Sequence, residues 1–492
     1  MTGLNQPHCR GQYTPRSVWS AWLLPSLVVF AASLLSTDGL TANHEGGHAD
    51  DRIHCGTDKP DAAIIACTHI VDDERLEEFE RATALKNRAF HYQELGDLDH
   101  AIDDYTKVLS RPEQRRIRAK TYLNRGLMYS RKGALSEALS DFTQAATLDP
   151  KLVSAYINRA SILMKQGDAD GAVADLTRAT QLEPQSVPIY LSRASIFAHS
   201  RLYARAITDY SKAIEIDPTN PITWRDRGVA FRAMGDYENA GKDAAEALRL
   251  DPNMGSAHLD VGLRLERAGK LEEALAQFNE AIRLTPSDAD AYLARADAYE
   301  SRGDRNRAID DFTRALSFNP TLVAAYSNRG AAYLRDQKWD PAIADFSKAL
   351  TLDPTQYAAY LNRGQAFTAK HERERALTDF SRAIELNPAA AQTYRYRGFL
   401  RQELGDSQGA MDDYDRAIQM DSEDAEAFRG RGFVHLHLHE LDAAITDLTA
   451  AIVKNPGDAL AYHLRASAWM AKKDRAAAET DEAVARRLNP KH

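Results

Sequence analysis

The sequence predicts an all-α solenoid built from helix pairs, and three observations carry that reading. Proline recurs at 34-residue steps, at 150, 184, 218, 252, 286, 320, 354, 388, 456 and 490, with Ser422 in the one skipped slot. With Ala119 as position 1 of a unit, small residues stand at position 8 (Gly126, Ala160, Gly364) and Ala stands at positions 20 and 27 throughout, from Ala138 and Ala145 to Ala478 and Ala485. Large aromatics recur at positions 4, 11 and 24, as in Tyr326, Tyr333 and Phe346. A fixed period of this length marks a repeat architecture, in which one unit cannot bury its own apolar face and stacking supplies the core.

Each unit reads as two helices. Positions 4, 8 and 11 share one helical face, and positions 20, 24 and 27 share another. Glycine at position 15 (Gly133, Gly167, Gly235, Gly303) separates them, often followed by an Asp that can cap the second helix. Small residues at 8 and 20 let the helices approach closely. These positions together resemble the tetratricopeptide repeat family. Eleven contiguous copies occupy 119–492, and an earlier copy, 82–115, precedes three spacer residues, so that 78–118 is a first repeat plus spacer. The resemblance implies a right-handed superhelix of about twelve repeats, with helix A of each lining the concave face.

Upstream, Arg10 and Arg16 precede an apolar run, 21–35, interrupted by Pro25 and followed by small and polar residues. That order is a secretory signal peptide, and the run is shorter than the ~20 residues of a membrane span. Residues 1–42 are therefore read as a signal, with cleavage after Ala42 and a periplasmic or secreted product. The alternative is an uncleaved inner-membrane anchor, the one reading that involves a membrane. The polar stretch 43–57 holds His44, His48 and His54, whose spacing fixes no metal geometry and fits a solvated tail.

Segment 43–77 carries Cys55 and Cys67; Cys9 would leave with the signal. An even pair in an oxidising compartment favours a disulfide, with two free buried thiols as the alternative. Residues 61–71 read like the second helix of a repeat, with Ala63, Cys67 and Ile70 at positions 20, 24 and 27. On Cys55, Cys67 and Thr68 the segment resembles a cysteine-paired leader that precedes such arrays in periplasmic proteins of some bacteria. The resemblance implies a stapled half-repeat capping the first face of the solenoid. At the other end, Glu482 takes the aromatic position 24 of the last repeat, beside Glu479, Thr480 and Arg486, as a polar outer face would require.

Position 7 is Arg and position 23 is Asp in eleven of twelve copies, and the exceptions, Val261 and Gln277, share one repeat. Both positions lie eight residues from the turn at position 15, on opposite sides, so an antiparallel hairpin brings them together. Arg329 with Asp345 and Arg363 with Asp379 are thus expected ion pairs. The competing reading is an arginine ladder facing a ligand.

Function follows from what recurs and what varies. A formal charge of −9 and a pI near 6 give no basic footprint, which argues against nucleic acid. No phosphate-binding glycine loop, HExxH, serine elbow or CxxC occurs, so the chain is read as no enzyme, with no catalytic residue, metal or cofactor. Asn recurs at position 6, but the Lys and Asn set of a carboxylate clamp is incomplete. Repeats 391–424 and 425–458 depart together, with Arg401 and His435 at the aromatic position 11; His435 and His439 lack a third metal ligand. The expected function is an exported, non-catalytic scaffold that binds a protein or peptide in the concave groove. Its candidate contacts are Asn124, Asn158, Arg225, Asn328, Asn362, Arg395, Arg429 and His463, the three arginines suggesting acidic contacts. The alternative is a structural assembly factor of a bacterial envelope complex, such as polysaccharide or pilus export.

Overall fold

The computed structural model describes residues 49–57, 59–111 and 115–489; the signal segment 1–42, His44 and His48 lie outside the described residues. Among those described, the chain forms twenty-six helices and no strand. It divides into two units, with described residues 49–264 in the first and 265–489 in the second, and the boundary falls inside the helix Gly255–Arg267. That helix belongs to the repeat that lacks both Arg and Asp. No described helix is long and apolar enough to cross a membrane.

Each repeat is a hairpin of a helix A, such as Tyr357–Ala369, and a helix B, such as Arg373–Leu386. The turn residue at position 15 is left-handed in every repeat of both units, at φ +75° to +85° where it is Gly. Arg201, Gln337, His371, His439 and Lys473 hold the same conformation with side chains, at φ 58° to 67°. Left-handed backbone costs an L-residue about 1–2 kcal/mol, so the hairpin imposes its turn against local preference at five sites. Where Asp follows the turn it caps helix B: the Asp168 carboxylate accepts from the Gly171 amide at 2.9 Å, and Asp406 from that of Gly409.

Small residues at positions 8 and 20 set the distance between the helices. A methyl group placed on Gly364 would come within 2.6 Å of the Phe380 ring, which is fully buried beside Ala376 and Ala383. Phe142, Phe312, Phe346 and Phe380 fill equivalent places, and each such ring contributes roughly 2–3 kcal/mol by leaving water.

Inside each hairpin the arginine forks onto its aspartate. Arg363 donates from Nε and Nη2 to the two carboxylate oxygens of Asp379, both at 2.8 Å, and Arg329 does the same to Asp345. All eleven arginines make this two-pronged bond within their own repeat, so they face helix B and leave no ladder for a ligand. The pairs are mostly buried, Arg363 at 19% and Asp379 at 4% side-chain exposure. The third nitrogen reaches backward. Arg363 Nη1 donates to Ser347 Oγ, Arg329 Nη1 to Thr313 and Arg295 Nη1 to Asn279, each at position 25 of the preceding repeat. In the eleven repeats that carry the arginine, one side chain thus ties helix A to helix B and the repeat to the one before.

The N-terminal cap uses the same device. Its helices are Ala49–Thr57 and Pro60–Asp72, joined by a bond between Cys55 and Cys67, both fully buried. Thr68 Oγ1 accepts from Arg88 Nη1 at 2.9 Å, as position 25 does elsewhere. Arg52 pairs with Glu80 in the interior, and buried His91 lies 3.3 Å from the Cys55 carbonyl. The expected spacer 116–118 requires correction. The next helix runs from Arg115 to Lys132, so those residues extend helix A by a turn, as the helix Glu78–Leu95 also starts ahead of its repeat. Glu482 pairs with His463 at 2.9 Å and with Arg486 at 3.4 Å.

Two outcomes follow. Asp379→Ala strands a guanidinium in a mostly buried place and should destabilise the C-terminal unit by about 3 kcal/mol, whereas Arg363→Val with Asp379→Gln should cost much less. Urea midpoints of the three proteins measure this; equal losses would remove the pairing argument. Reduction of the Cys55–Cys67 bridge, which closes a short loop, should weaken the cap by roughly 3 kcal/mol, read as faster amide exchange in residues 60–95.

Candidate binding groove

Helical geometry sets positions 5 and 9 about 200° from position 7, on the side of helix A away from the Arg–Asp fork. In the C-terminal unit the A helices Ala289–Arg302, Val323–Arg335, Tyr357–Ala369, Ala391–Glu403, Ala425–His437 and Ala459–Ala471 each approach the next directly, and successive B helices do not to the same degree. In the N-terminal unit Arg115–Lys132 approaches Val153–Lys165 in the same way. In the C-terminal unit helix A therefore lines the crowded, inner side of the stack, and its positions 2, 5, 6, 9 and 12 face that side from repeat to repeat.

Most of the sequence-predicted contacts on this surface are already occupied. Asn124 is buried beside Tyr105, and Asn158 donates from Nδ2 to the Ser154 carbonyl at 2.8 Å. Asn328 donates to Asp297 Oδ1 at 2.8 Å, and Asn362 is half-buried. The three arginines offered as acid-binding each hold an acid of this chain. Arg225 pairs with Asp226 at 2.7 Å, where burial pushes the Asp226 carboxyl up and Arg225 pulls it down. Arg395 takes Asp424 at 2.9 Å together with Glu426, and Arg429 takes Asp458. Burial also pushes the Asp424 carboxyl up against the pull of Arg395. His463 holds Glu482. The expectation of free acidic contacts at these arginines is thus corrected: their partners stand at position 34 of the same repeat, at position 2 of the next, or one residue along.

The departures at position 11 have the same character. Arg401 donates from Nη1 to Asp413 Oδ2 at 3.0 Å and to the Gly409 carbonyl at 3.1 Å, joining the Arg397–Asp413 fork. His435 lies 2.6 Å from Glu440 and 3.6 Å from Asp447, joining the Arg431 fork. Asp447 hydrogen bonds hold the Arg431 guanidinium pKa further above its usual value against the opposing effect of burial, with Asp415 adding to it. Among the described residues no three His, Cys, Asp or Glu stand close enough to hold a metal ion.

What the sequence reading missed is aromatic. Tyr396 at position 6 and Phe399 and Phe433 at position 9 lie on the groove side of adjacent repeats, and Phe399 is 44% exposed. Position 9 is otherwise aliphatic or polar except for Phe90, so tabulating it as position 5 was tabulated would have found them. Below them, Tyr414 is buried at position 24 and its hydroxyl donates to Gln402 Oε1 at 2.9 Å. Gly430 makes room: a side chain there would run into the Tyr414 ring.

Comparison with known proteins adds the following. Family models described as TPR repeat or tetratricopeptide repeat match residues 262–303, 289–322, 323–356, 361–425 and 397–459. A model described as ETO1 C-terminal domain matches 70–267. No curated protein matches the chain. Among solved structures, YrrB, described as a TPR protein with an unusual peptide-binding site, is 24% identical over 38% of this chain and 96% of its own, at a TM-score of 0.35. Yeast Tom70 is 20% identical over 84% and 93%, at 0.33. The Cut9–Hcn1 hetero-tetramer of the APC/C is 18% identical over 86% and 90%, at 0.42.

Gly430→Ala should force Tyr414 off Gln402 and cost about 1–3 kcal/mol by overpacking. Thermal melting, with amide exchange across residues 407–437, reads the effect; an unchanged melt would mean the ring yields freely.

Proposed function

We propose that this chain, which belongs to the tetratricopeptide repeat family, is an exported, non-catalytic scaffold that binds a protein or peptide segment in the groove lined by helix A. The observation that supports the groove most is the division of labour within helix A. Positions 7 and 8 hardly change because they meet helix B. Positions 5, 6 and 9 change from repeat to repeat: Leu293, Ser327, Leu361, Arg395 and Arg429 at position 5, and Asp297, Ala331, Gln365, Phe399 and Phe433 at position 9. A surface kept continuous by the fold yet chemically different at each step suits an extended partner read at several points.

Export rests on the order of charges and apolar residues before Ala42 and on the Cys55–Cys67 bridge, which persists in oxidising compartments. The titratable groups support a structural role, since the recurring arginines and aspartates are held in forks and caps within the chain.

The reading is tested with a photo-crosslinking residue in cells, placed in the groove at Ala331 or on helix B at the exposed Ser317. Partner capture from Ala331 and none from Ser317 is expected, in the osmotic-shock fraction, from a mature protein that begins at Asn43. Capture from helix B alone, or an intact N-terminus in the membrane fraction, would overturn the groove or the export respectively. Co-purification of a stable membrane assembly would favour the envelope-complex role.

A further inference from the structure

We propose that the groove over repeats 391–424 and 425–458 is a dedicated subsite for an extended, positively charged peptide with apolar side chains three residues apart. The proposal rests on the groove-binding reading above and names the partner's chemistry.

The first observation is the aromatic patch. Phe399 exposes nearly half its surface, Phe433 follows it at the same position one repeat on, and Tyr396 stands a turn away with its ring stacked on Phe380. Rings held rigidly by neighbouring helices receive apolar side chains with little loss of freedom. The exposed ring of Phe399 also attracts ammonium and guanidinium groups, as Tyr396 already does for Arg395 at 5.0 Å; Phe433 is partly buried and lies against His437.

The second observation is charge. These two repeats carry thirteen carboxylates against seven Lys and Arg, which places −6 of the chain's formal −9 within 68 residues. That net figure already includes the groove arginines Arg395 and Arg429, which are each bound to acids of the chain and so offer no free cation to a ligand. Glu426, at position 2, stays 53% exposed on the groove side. A net negative charge of this density around the groove steers cations and repels anions.

The third observation is spacing. Packed helices stand about 8–10 Å apart, so equivalent positions on successive A helices repeat at that interval. A polyproline-type chain turns once in three residues and rises about 9 Å in doing so, which returns side chains i and i+3 to one face. One such side chain then meets Phe399 and the other Phe433. Gln402, one turn from Phe399 and fixed by the Tyr414 hydroxyl on its oxygen, keeps its NH2 group as a donor for a peptide carbonyl.

The test uses the exported full chain and three fluorescein-labelled twelve-residue peptides, measured by anisotropy. One carries two Leu three apart among Lys and Pro; the second replaces each Lys by Glu; the third keeps Lys but sets the two Leu two apart. The first should bind at least tenfold tighter than either of the others, weaken at least tenfold in Phe399→Glu, and weaken as NaCl rises from 50 to 500 mM. Phe399→Gln serves if the charged variant melts early; the exposed ring makes either substitution tolerable. Equal binding of the Glu peptide, or insensitivity to both Phe399 variants, overturns the proposal. A random peptide selection on the same protein separates this from the broader reading. Peptides blocked by Ala331→Glu, at the half-exposed groove position 9 of another repeat, but indifferent to Phe399 would leave groove binding standing elsewhere and this subsite refuted. No selected peptide at all would refute both.

Discussion

A guanidinium carries five N–H donors in one plane, and this fold depends on how three of its nitrogens are spent. Nε and Nη2 close a fork on an aspartate across the hairpin, and Nη1 crosses to position 25 of the preceding repeat. The first bond fixes the register of helix A against helix B. The second fixes the rotation of one repeat against the next. Neither requires much net stabilisation, since desolvating the ions offsets most of the attraction. The fork's contribution is geometric: it admits one arrangement, and the small residues at positions 8 and 20 let the helices reach it.

The sequence carries the trace of this second bond as plainly as the first. Wherever an arginine follows, position 25 is polar: Thr143, Thr177, Ser211, Asn279, Thr313, Ser347, Ser381, Asp415 and Thr449, with Thr106 and Thr68 ahead of them. Ala245 precedes Val261, the one repeat without the arginine. Residue identity obscures the rule, because hydroxyl, amide and carboxylate all serve as the acceptor. Polarity as a class reveals it. The Arg–Asp fork was legible from counting alone, since both partners lie in one hairpin at equal distance from the turn.

The groove was harder to read for the opposite reason. Arg395 and Arg429 look free when helix A is considered alone, because Asp424 and Asp458 stand beyond helix B at the connection that closes the same repeat and Glu426 belongs to the following one. The helix boundaries misled similarly. The break in period after Arg115 suggested a spacer, yet the helix Arg115–Lys132 takes in those residues, which extend a helix that tertiary packing already holds.

Electrostatics in repeats 391–424 and 425–458 then limits what the groove can recognise. Arg401 and His435 replace aromatics that are half-buried or buried in the other repeats, and each needs an acid: Arg401 shares Asp413 with Arg397, and His435 leans on Glu440 and Asp447. An acidic ligand approaching Arg395 would have to displace Asp424, whose carboxyl is already pushed toward the neutral form by burial. Displacement would leave that carboxylate buried without its counter-ion, a cost of several kcal/mol that a solvent-exposed contact cannot return. A cationic ligand leaves the buried Arg395–Asp424 and Arg429–Asp458 pairs in place and competes with Arg395 only for the half-exposed Glu426. It meets Glu426, the surplus acids of the surrounding helices and the faces of Phe399 and Phe433, so the charges that hold these two repeats together also decide which sign of partner they admit.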